Sequence, residues 1–321
     1  MSGRNYRITD LTVNICTVDR HDYLMACIES LLQTTPPGAP LAIVFNGTPE
    51  PTRHAAMKMA EEWQGPTRFE HIEQTVPLDE SHNIALGLVA TRLVNFMGDD
   101  DVVLGPRLHK ILRAFNELEP EPAAVTTYAR RVAGDAFNPK SSTIRSLGPT
   151  SIAEWEEWRN EGKIFEMVWP GAVFRTDELR AVGGFEARFN QSADNRIFTQ
   201  LAQRAPVVAL TDDQFGYRIH QGALSTGNWK VQNRHVRYVA ACHEAHRAGL
   251  EEPTYEAFLA AESAAPWRRR ISVGLRDRSR MHFRRGGALM LQGQWVRASA
   301  NLVASVAIWP PAFVGKVRDQ V

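Results

Sequence analysis

The sequence predicts an α/β protein: a mixed, mainly parallel sheet flanked by helices, followed by a basic helical extension. Three observations carry this. Between residues 11 and 128 strand-like and helix-like stretches alternate, which sets consecutive strands parallel and packs helices on both faces of their sheet. One of those strands ends in three aspartates, Asp99-Asp100-Asp101, bracketed by apolar runs. The charge is also divided along the chain. The net is only +1, yet residues 228–321 hold 15 Lys/Arg against 7 Asp/Glu, while residues 1–227 hold 22 against 29. An acidic body with a basic tail points to two tasks, the second facing an anionic surface.

The elements follow in order. Leu11, Val13 and Ile15 alternate with Thr12, Asn14 and Cys16, the period of a strand. Asp22 then stands as N-cap before Tyr23, Leu24, Cys27, Ile28, Leu31 and Leu32 at helical spacing, and Pro36-Pro37-Gly38 stops that helix. Leu41–Phe45 reads as the second strand, closed by the turn Asn46-Gly47. Helix 52–63, strand 68–73, helix 80–90 and strand 92–97 come next, and the last delivers the aspartates. Leu108, Ile111, Leu112 and Phe115 mark a further helix, and residues 123–128 a strand. A polar insertion spans 133–166, with a short helix near 151–160. Then come a strand over 168–174, helix 176–182, the turn Gly183-Gly184-Phe185, helix 193–203 and strands near 206–219. From about residue 229 the pattern is helical and basic.

Composition sets bounds. The chain has 321 residues, 44% hydrophobic and 23% charged, an ordinary globular balance with enough apolar residues for a large core. Three cysteines at unrelated spacings make neither a zinc pattern nor a disulfide framework, which suits a reducing cytoplasm. Residues 1–7 hold no apolar signal core, and the longest apolar segment, near 300–315, is broken by Pro310-Pro311. A cytoplasmic protein that does not span a membrane is therefore expected.

Three adjacent carboxylates repel one another and are costly to desolvate unless a cation sits among them. At the carboxyl end of a strand they suit Mg²⁺ or Mn²⁺ carrying a phosphate-bearing ligand. The plain alternative is a solvated acidic loop.

Four segments within residues 11–225 decide between these. They are Val13–Arg20 with Tyr23-Leu24 and the helix after it; Ile43–Thr48; Asn95–Asp101; and Gly183-Gly184-Phe185 with Asp194, then Arg218-Ile219-His220 and Ser225. In this order and spacing the chain resembles a family 2 glycosyltransferase of the GT-A fold, with the aspartates standing as its DxD-type motif. The resemblance implies a nucleotide-diphosphate sugar donor, Mn²⁺ or Mg²⁺, and inverting transfer to a glycan or lipid-linked acceptor in polysaccharide biosynthesis. It implies nucleotide-sugar contacts at Cys16, Thr17, Val18, Asp19, Asn46, Asn83, Asp99 and Arg218, and metal ligation by Asp100, Asp101 and His220. Asp194 falls on the general base, at a helix start whose dipole is expected to keep it ionised. Trp169, Gly171 and Gly184 fall on the acceptor side, where an aromatic face suits a sugar ring. The same resemblance divides the chain into a glycosyltransferase domain over 1–227 (nucleotide-sugar half about 1–130, acceptor half about 131–227) and a helical extension over 228–321.

There are departures. Asn46, Gly98 and Ala193 stand where the family often has acids, Val18 where an aromatic is frequent, and His82-Asn83 replaces an Arg-Asn pair. They leave a non-catalytic sugar-nucleotide-binding scaffold of the same fold as the alternative. A sugar nucleotidyltransferase is disfavoured because Cys16-Thr17-Val18-Asp19 is no Gly-rich loop.

In the tail, eight arginines fall between Arg268 and Arg285, interleaved with Trp267, Ile271, Leu275 and Phe283, and an apolar segment follows. A basic amphipathic stretch reads as peripheral contact with an anionic membrane through 267–314, or as a helical hairpin paired with the acidic body. No nucleic-acid-binding motif is present.

Overall fold

Both faces of the first strand are buried, so the alternation read from sequence separates two cores rather than core from solvent. In the computed structural model, which describes residues 4–133, 143–144, 148–219, 229–291 and 293–310, β1 (Leu11–Thr17) is shielded along its whole length. Leu11, Val13 and Ile15 enter one apolar cluster, and Cys16 enters the other. The polar residues on that second side have partners: Thr12 Oγ1 lies 2.6 Å from Thr91 Oγ1, and Asn14 Nδ2 donates to Ala85 O at 3.1 Å. Buried polar groups persist in a core on that condition.

The elements are β1, α1 (His21–Thr34), β2 (Leu41–Asn46), α2 (Glu50–Met59), β3 (Thr67–Ile72), α3 (Leu78–Leu88), β4 (Leu93–Gly98), β5 (Val102–Val103), α4 (Leu108–Glu117), β6 (Ala124–Thr127), β7 (Ala129–Ala133), β8 (Thr143–Ile144), α5 (Ile152–Glu161), β9 (Val173–Arg175), α6 (Thr176–Ala181), α7 (Ala193–Arg204), β10 (Val207–Leu210) and β11 (Phe215–Ile219). A seven-stranded sheet runs β10-β6-β9-β4-β1-β2-β3. All its pairings are parallel except those of β9, which runs antiparallel to both β4 and β6. A second sheet is ordered β5-β11-β7-β8. The edge strand β3 is largely exposed and carries Arg68, Glu70 and His71, charges that discourage a stray strand from pairing there.

Two sequence expectations are corrected. Asp22 is not the N-cap of α1: the helix begins at His21 and Asp22 lies within its first turn. Residues 168–171 are not strand; only Val173–Arg175 pairs. Pro170 cannot donate to a ladder, and the chain turns at Gly171, whose amide donates to Phe96 O at 2.9 Å while Ala172 N donates back to Trp169 O at 3.0 Å.

The chain divides into two compact units, residues 1–131 with 142–218, and residues 132–141 with 219–321. The second is helical: α8 (Trp229–Arg247), α9 (Tyr255–Ala264), α10 (Trp267–Leu291) and α11 (Trp295–Ile308). Tyr238 is its buried centre, donating to Pro253 O at 2.9 Å and packing on the rings of Tyr255 and Phe258. Arg237 bonds both Glu262 and Asp277. Ser279 and Ser305 exchange hydrogen bonds of 2.8 Å between α10 and α11, where small side chains let the helices approach. Among the described residues no helix is long and apolar enough to cross a membrane.

Candidate functional site

β1 and β4 pair in register, Cys16 opposite Gly98, so the loops leaving their carboxyl ends face each other. That juxtaposition brings Thr17, Val18 and Arg20 onto the acidic triplet. Thr17 Oγ1 reaches Asp99 Oδ2 at 2.8 Å, and Val18 N donates to the same oxygen at 3.4 Å. Arg20 Nη1 lies 3.1 Å from Asp99 Oδ1 and 2.8 Å from Asp100 Oδ2. From β11, Arg218 N donates to Asp101 Oδ1 at 2.9 Å and Arg218 Nε to Asp100 O at 2.8 Å, with its guanidinium over the ring of Tyr23. Four residues, Thr17, Val18, Arg20 and Arg218, thus surround one group of carboxylates.

These are not the exposed acids of a solvated loop. Asp101 is 1% exposed and Asp99 is 4%. Burial pushes the carboxyl of Asp101 well up, and the neighbouring Asp100 charge adds to it. Asp99 is raised by burial and partly drawn back by Arg20. Gly98 shows what the arrangement can hold. A side chain beginning there would meet Asp101 Oδ2 at 2.8 Å and Asp100 Oδ1 at 2.9 Å, so two carboxylate oxygens converge on a space kept clear by the missing Cβ. This oxygen donor set fits a hard divalent cation. Among the described residues no three His, Cys, Asp or Glu side chains gather as a complete metal cage. Two carboxylates with further ligands from phosphate oxygens is the usual arrangement for such cations.

The remaining expected residues are distributed as follows. Asp19 is exposed just beyond β1. The Cys16 thiol is buried within reach of Asn14 Oδ1 and Ser81 O, and burial pushes it up to about 12. Such a thiol is inert packing. Asn46 gives both amide atoms to one peptide: Nδ2 donates to Val76 O at 2.9 Å and Oδ1 accepts from Val76 N at 2.8 Å. Asn83 does the same to Phe185, at 2.8 and 2.9 Å. His220 and Ser225 lie outside the described residues.

Trp169 joins an aromatic cluster with Phe96, Phe174, Phe185 and Phe198. His82 packs among Phe96, Phe185 and Trp169, and burial pulls its imidazole down to about 4, which leaves it neutral. Gly184 follows α6 with φ +69°, and a Cβ there would strike Asn83 Oδ1 at 2.6 Å. The position requires glycine on both counts.

Asp194 opens α7, where Asn195 N donates to its Oδ1 at 2.8 Å. The helix start does not hold its carboxyl at the ordinary value. Burial raises its carboxyl from 3.8 to about 6, and Glu166 adds to the rise, together outweighing the bond from Asn195 N. A carboxyl poised there can take up a proton near neutrality.

Two residues were not singled out from sequence. Arg20 follows the Thr-Val-Asp of the β1 loop and gave no signal apart from the triplet it neutralises. Arg107 is 1% exposed and donates to Gly171 O at 2.6 Å, with Nη2 3.4 Å from Asn95 Oδ1. It thereby fixes the turn after Trp169 against β4. Arginine is so rarely buried that no sequence rule marks it.

The fold is shared with solved structures at low identity. TarS of S. aureus (residues 1–349, in complex with UDP-GlcNAc) aligns with a TM-score of 0.55 at 13% identity, covering 92% of this chain and 88% of that one. The same protein in complex with UDP aligns with a TM-score of 0.54 at 12% identity over the same shares. The mannosyltransferase PcManGT of Pyrobaculum calidifontis, in complex with GDP-Man and Mn²⁺, aligns with a TM-score of 0.53 at 15% identity, covering 97% and 81%. No curated protein sequence matches the chain. Residues 12–180, more than half of the chain and including the acidic triplet with the strands that present it, match the family described as Glycosyl transferase family 2, and the protein belongs to that family.

Proposed function

We propose that the protein is an inverting glycosyltransferase that moves a sugar from a nucleotide-diphosphate sugar to a hydroxyl of a glycan, a lipid-linked saccharide or another acceptor. The observation that carries this reading is the convergence of Asp100 Oδ1 and Asp101 Oδ2 beside Gly98 at the carboxyl end of β4, where open α/β sheets bind their ligands. Structures of similar fold in complex with UDP, UDP-GlcNAc, and GDP-Man with Mn²⁺ support it.

Asp100 and Asp101 would hold Mn²⁺ or Mg²⁺, with His220 as a further ligand. When bound, the cation supplies positive charge to the departing diphosphate. Thr17 and Val18 N orient Asp99 toward the nucleotide. Cys16, Asp19, Asn46 and Asn83 shape the nucleotide pocket, the two asparagines by clamping the main chain at Val76 and Phe185. Arg218, anchored on the triplet, faces the diphosphate. Asp194 takes the proton of the acceptor hydroxyl as it attacks the anomeric carbon from the side opposite the leaving group, and a single displacement of this kind inverts configuration. General-base help of this kind is worth about 10²–10⁴-fold. Trp169, Gly171 and Gly184 lie on the acceptor side. On this reading residues 1–227 are the transferase, split near residue 130 into donor and acceptor halves. Residues 228–321 form an extension that rests on the anionic inner face of the plasma membrane, in the cytoplasm.

The test is thermal stabilisation across UDP-, GDP- and dTDP-sugars, each with and without Mn²⁺. A shift with one nucleotide class that needs the metal is expected. Donor binding with no donor consumed, whatever the acceptor, would instead identify a non-catalytic sugar-nucleotide-binding protein. No shift with any donor would remove the reading.

A further inference from the structure

We propose that Arg20 is a resident countercation of the acidic triplet, which exchanges with the divalent cation at Asp100 and thereby couples metal binding to diphosphate binding. The inference rests on the donor-site reading above. Arg20 bridges two carboxylates through a single nitrogen, Nη1, at 3.1 Å from Asp99 Oδ1 and 2.8 Å from Asp100 Oδ2. Its Nε and Nη2 make no hydrogen bond among the described residues, and its side chain keeps 25% of its surface exposed. The residue stands immediately before α1, at its N-cap, and its side chain makes no capping hydrogen bond.

The competition is electrostatic. Asp100 presents Oδ2 to Arg20 and Oδ1 to the space beside Gly98. A divalent cation held between Asp100 Oδ1 and Asp101 Oδ2 draws on the same carboxylate charge and repels a guanidinium seated on its other oxygen. Arg20 must then loosen its hold on Asp100, which weakens metal binding when no anion is present. A nucleoside diphosphate reverses this. The released guanidinium has two free donor nitrogens in the fork geometry that matches phosphate oxygens. The anion therefore compensates Arg20 for the bond that the metal displaces. Each ligand then favours the other, and by linkage the two factors are equal.

The measurement is binding of free Mn²⁺ followed by electron paramagnetic resonance, alone and with saturating UDP or GDP, for the wild type, Arg20→Gln and Arg20→Lys. Circular dichroism checks that each variant is folded. Wild type is expected to bind Mn²⁺ weakly alone and at least about tenfold more tightly with one of the nucleotides, within the usual 5–150-fold range of such coupling. Arg20→Gln should bind Mn²⁺ alone about tenfold more tightly than wild type and lose most of the coupling; Arg20→Lys should retain part of it. Mn²⁺ binding to Arg20→Gln that is no tighter than to wild type, or coupling that survives intact, overturns the proposal. The two readings fail separately. If neither nucleotide tightens Mn²⁺ in the wild type but Arg20→Gln still binds the metal better alone, Arg20 stands as the countercation and the donor site does not. If no form binds Mn²⁺ under any condition, both fall.

Discussion

Asn83 grips the main chain of Phe185 across 102 residues of sequence, donating to Phe185 O at 2.8 Å and accepting from Phe185 N at 2.9 Å. The same two-point clamp recurs at Asn46 on Val76 and at Asn116 on Tyr6. An asparagine side chain offers the donor and acceptor of a peptide unit at strand-like spacing, so it can pair with a main-chain residue that no strand reaches. Here the clamp joins α3 to the turn after α6, from which the chain runs through residues 187–192 to Asp194.

This predicts a measurable coupling. Asn83→Ala removes two hydrogen bonds, with water able to replace them in part because Asn83 is partly exposed, so a cost of about 1–2 kcal/mol is expected. Gly184→Ala adds a Cβ 2.6 Å from Asn83 Oδ1 at φ +69° and should cost at least as much, about 1–2 kcal/mol from the backbone alone. The double variant should be less destabilised than the sum, because Asn83→Ala removes the clash and leaves only the backbone strain. Chemical denaturation of the four forms gives the answer, and strict additivity would show that the two side chains do not share one contact.

The alternation of elements, the strand that delivers the aspartates and the Gly-Gly-Phe turn could all be read from sequence, because each depends on local periodicity or on glycine's backbone freedom. The turn at Trp169-Pro170-Gly171 could not, since its apolar residues carry the composition of a buried strand and the bend is stabilised by Arg107 from a distant helix start. The roles of Asn46 and Asn83 were hidden for the same reason. An amide aimed at a ligand and an amide clamping a peptide have the same sequence, and only the fold says which main chain comes within reach. Asp194 shows the limit for charge: its position at a helix start was legible, but the burial that raises its carboxyl depends on elements packed from elsewhere.

Asp194 also sets an expected pH profile. As the proposed general base it must be deprotonated, so kcat/KM should rise with pH through about 6, the value to which burial raises the group. Stability runs the other way. A carboxyl raised in the folded state contributes stability at pH below its ordinary 3.8 and loses it as pH rises through about 6. Asp194→Asn should therefore cut transfer by at least about 10²-fold while leaving donor binding intact. It should also be more stable to unfolding than wild type at pH 8, by an amount on the order of 1–2 kcal/mol after allowing for partial exposure. A wild-type profile flat between pH 5 and pH 8 would separate Asp194 from the chemistry.

Arg107 makes a different prediction. It is fully buried, stacks its guanidinium 5.2 Å from the Phe215 ring centroid and ties Gly171 O to Asn95. Arg107→Met leaves the Gly171 carbonyl unpaired inside the core, a loss of about 1–3 kcal/mol. Arg107→Lys keeps the charge but not the fork, so it should rescue little. Because the turn it fixes lies on the proposed acceptor side, the surviving activity should show a raised KM for acceptor and an unchanged affinity for donor. Equal loss of both would place the effect on the whole sheet instead.

The basic extension can be tested apart from the transferase. On α10, Trp267, Ile271 and Leu275 are 65%, 53% and 37% exposed and recur every four residues, so they share one helix face, with Arg268, Arg269, Arg270, Arg276 and Arg278 exposed around them. On α11, Val296 and Val303 are 86% and 68% exposed. Apolar side chains held in water beside a cluster of cations are favourable where acyl chains and anionic headgroups meet. Each arginine near such a surface is worth about 1 kcal/mol. Replacing Arg268, Arg269 and Arg270 with glutamine should therefore weaken binding to phosphatidylglycerol vesicles by on the order of a hundredfold, and raising salt should weaken the wild type toward the same level. Trp267→Ala should weaken binding at every salt concentration, because it removes apolar area rather than charge. Transfer to a soluble acceptor should be unchanged in the triple variant. Equal binding to phosphatidylcholine and phosphatidylglycerol vesicles, insensitive to salt, would mean that the arginines do not read a membrane.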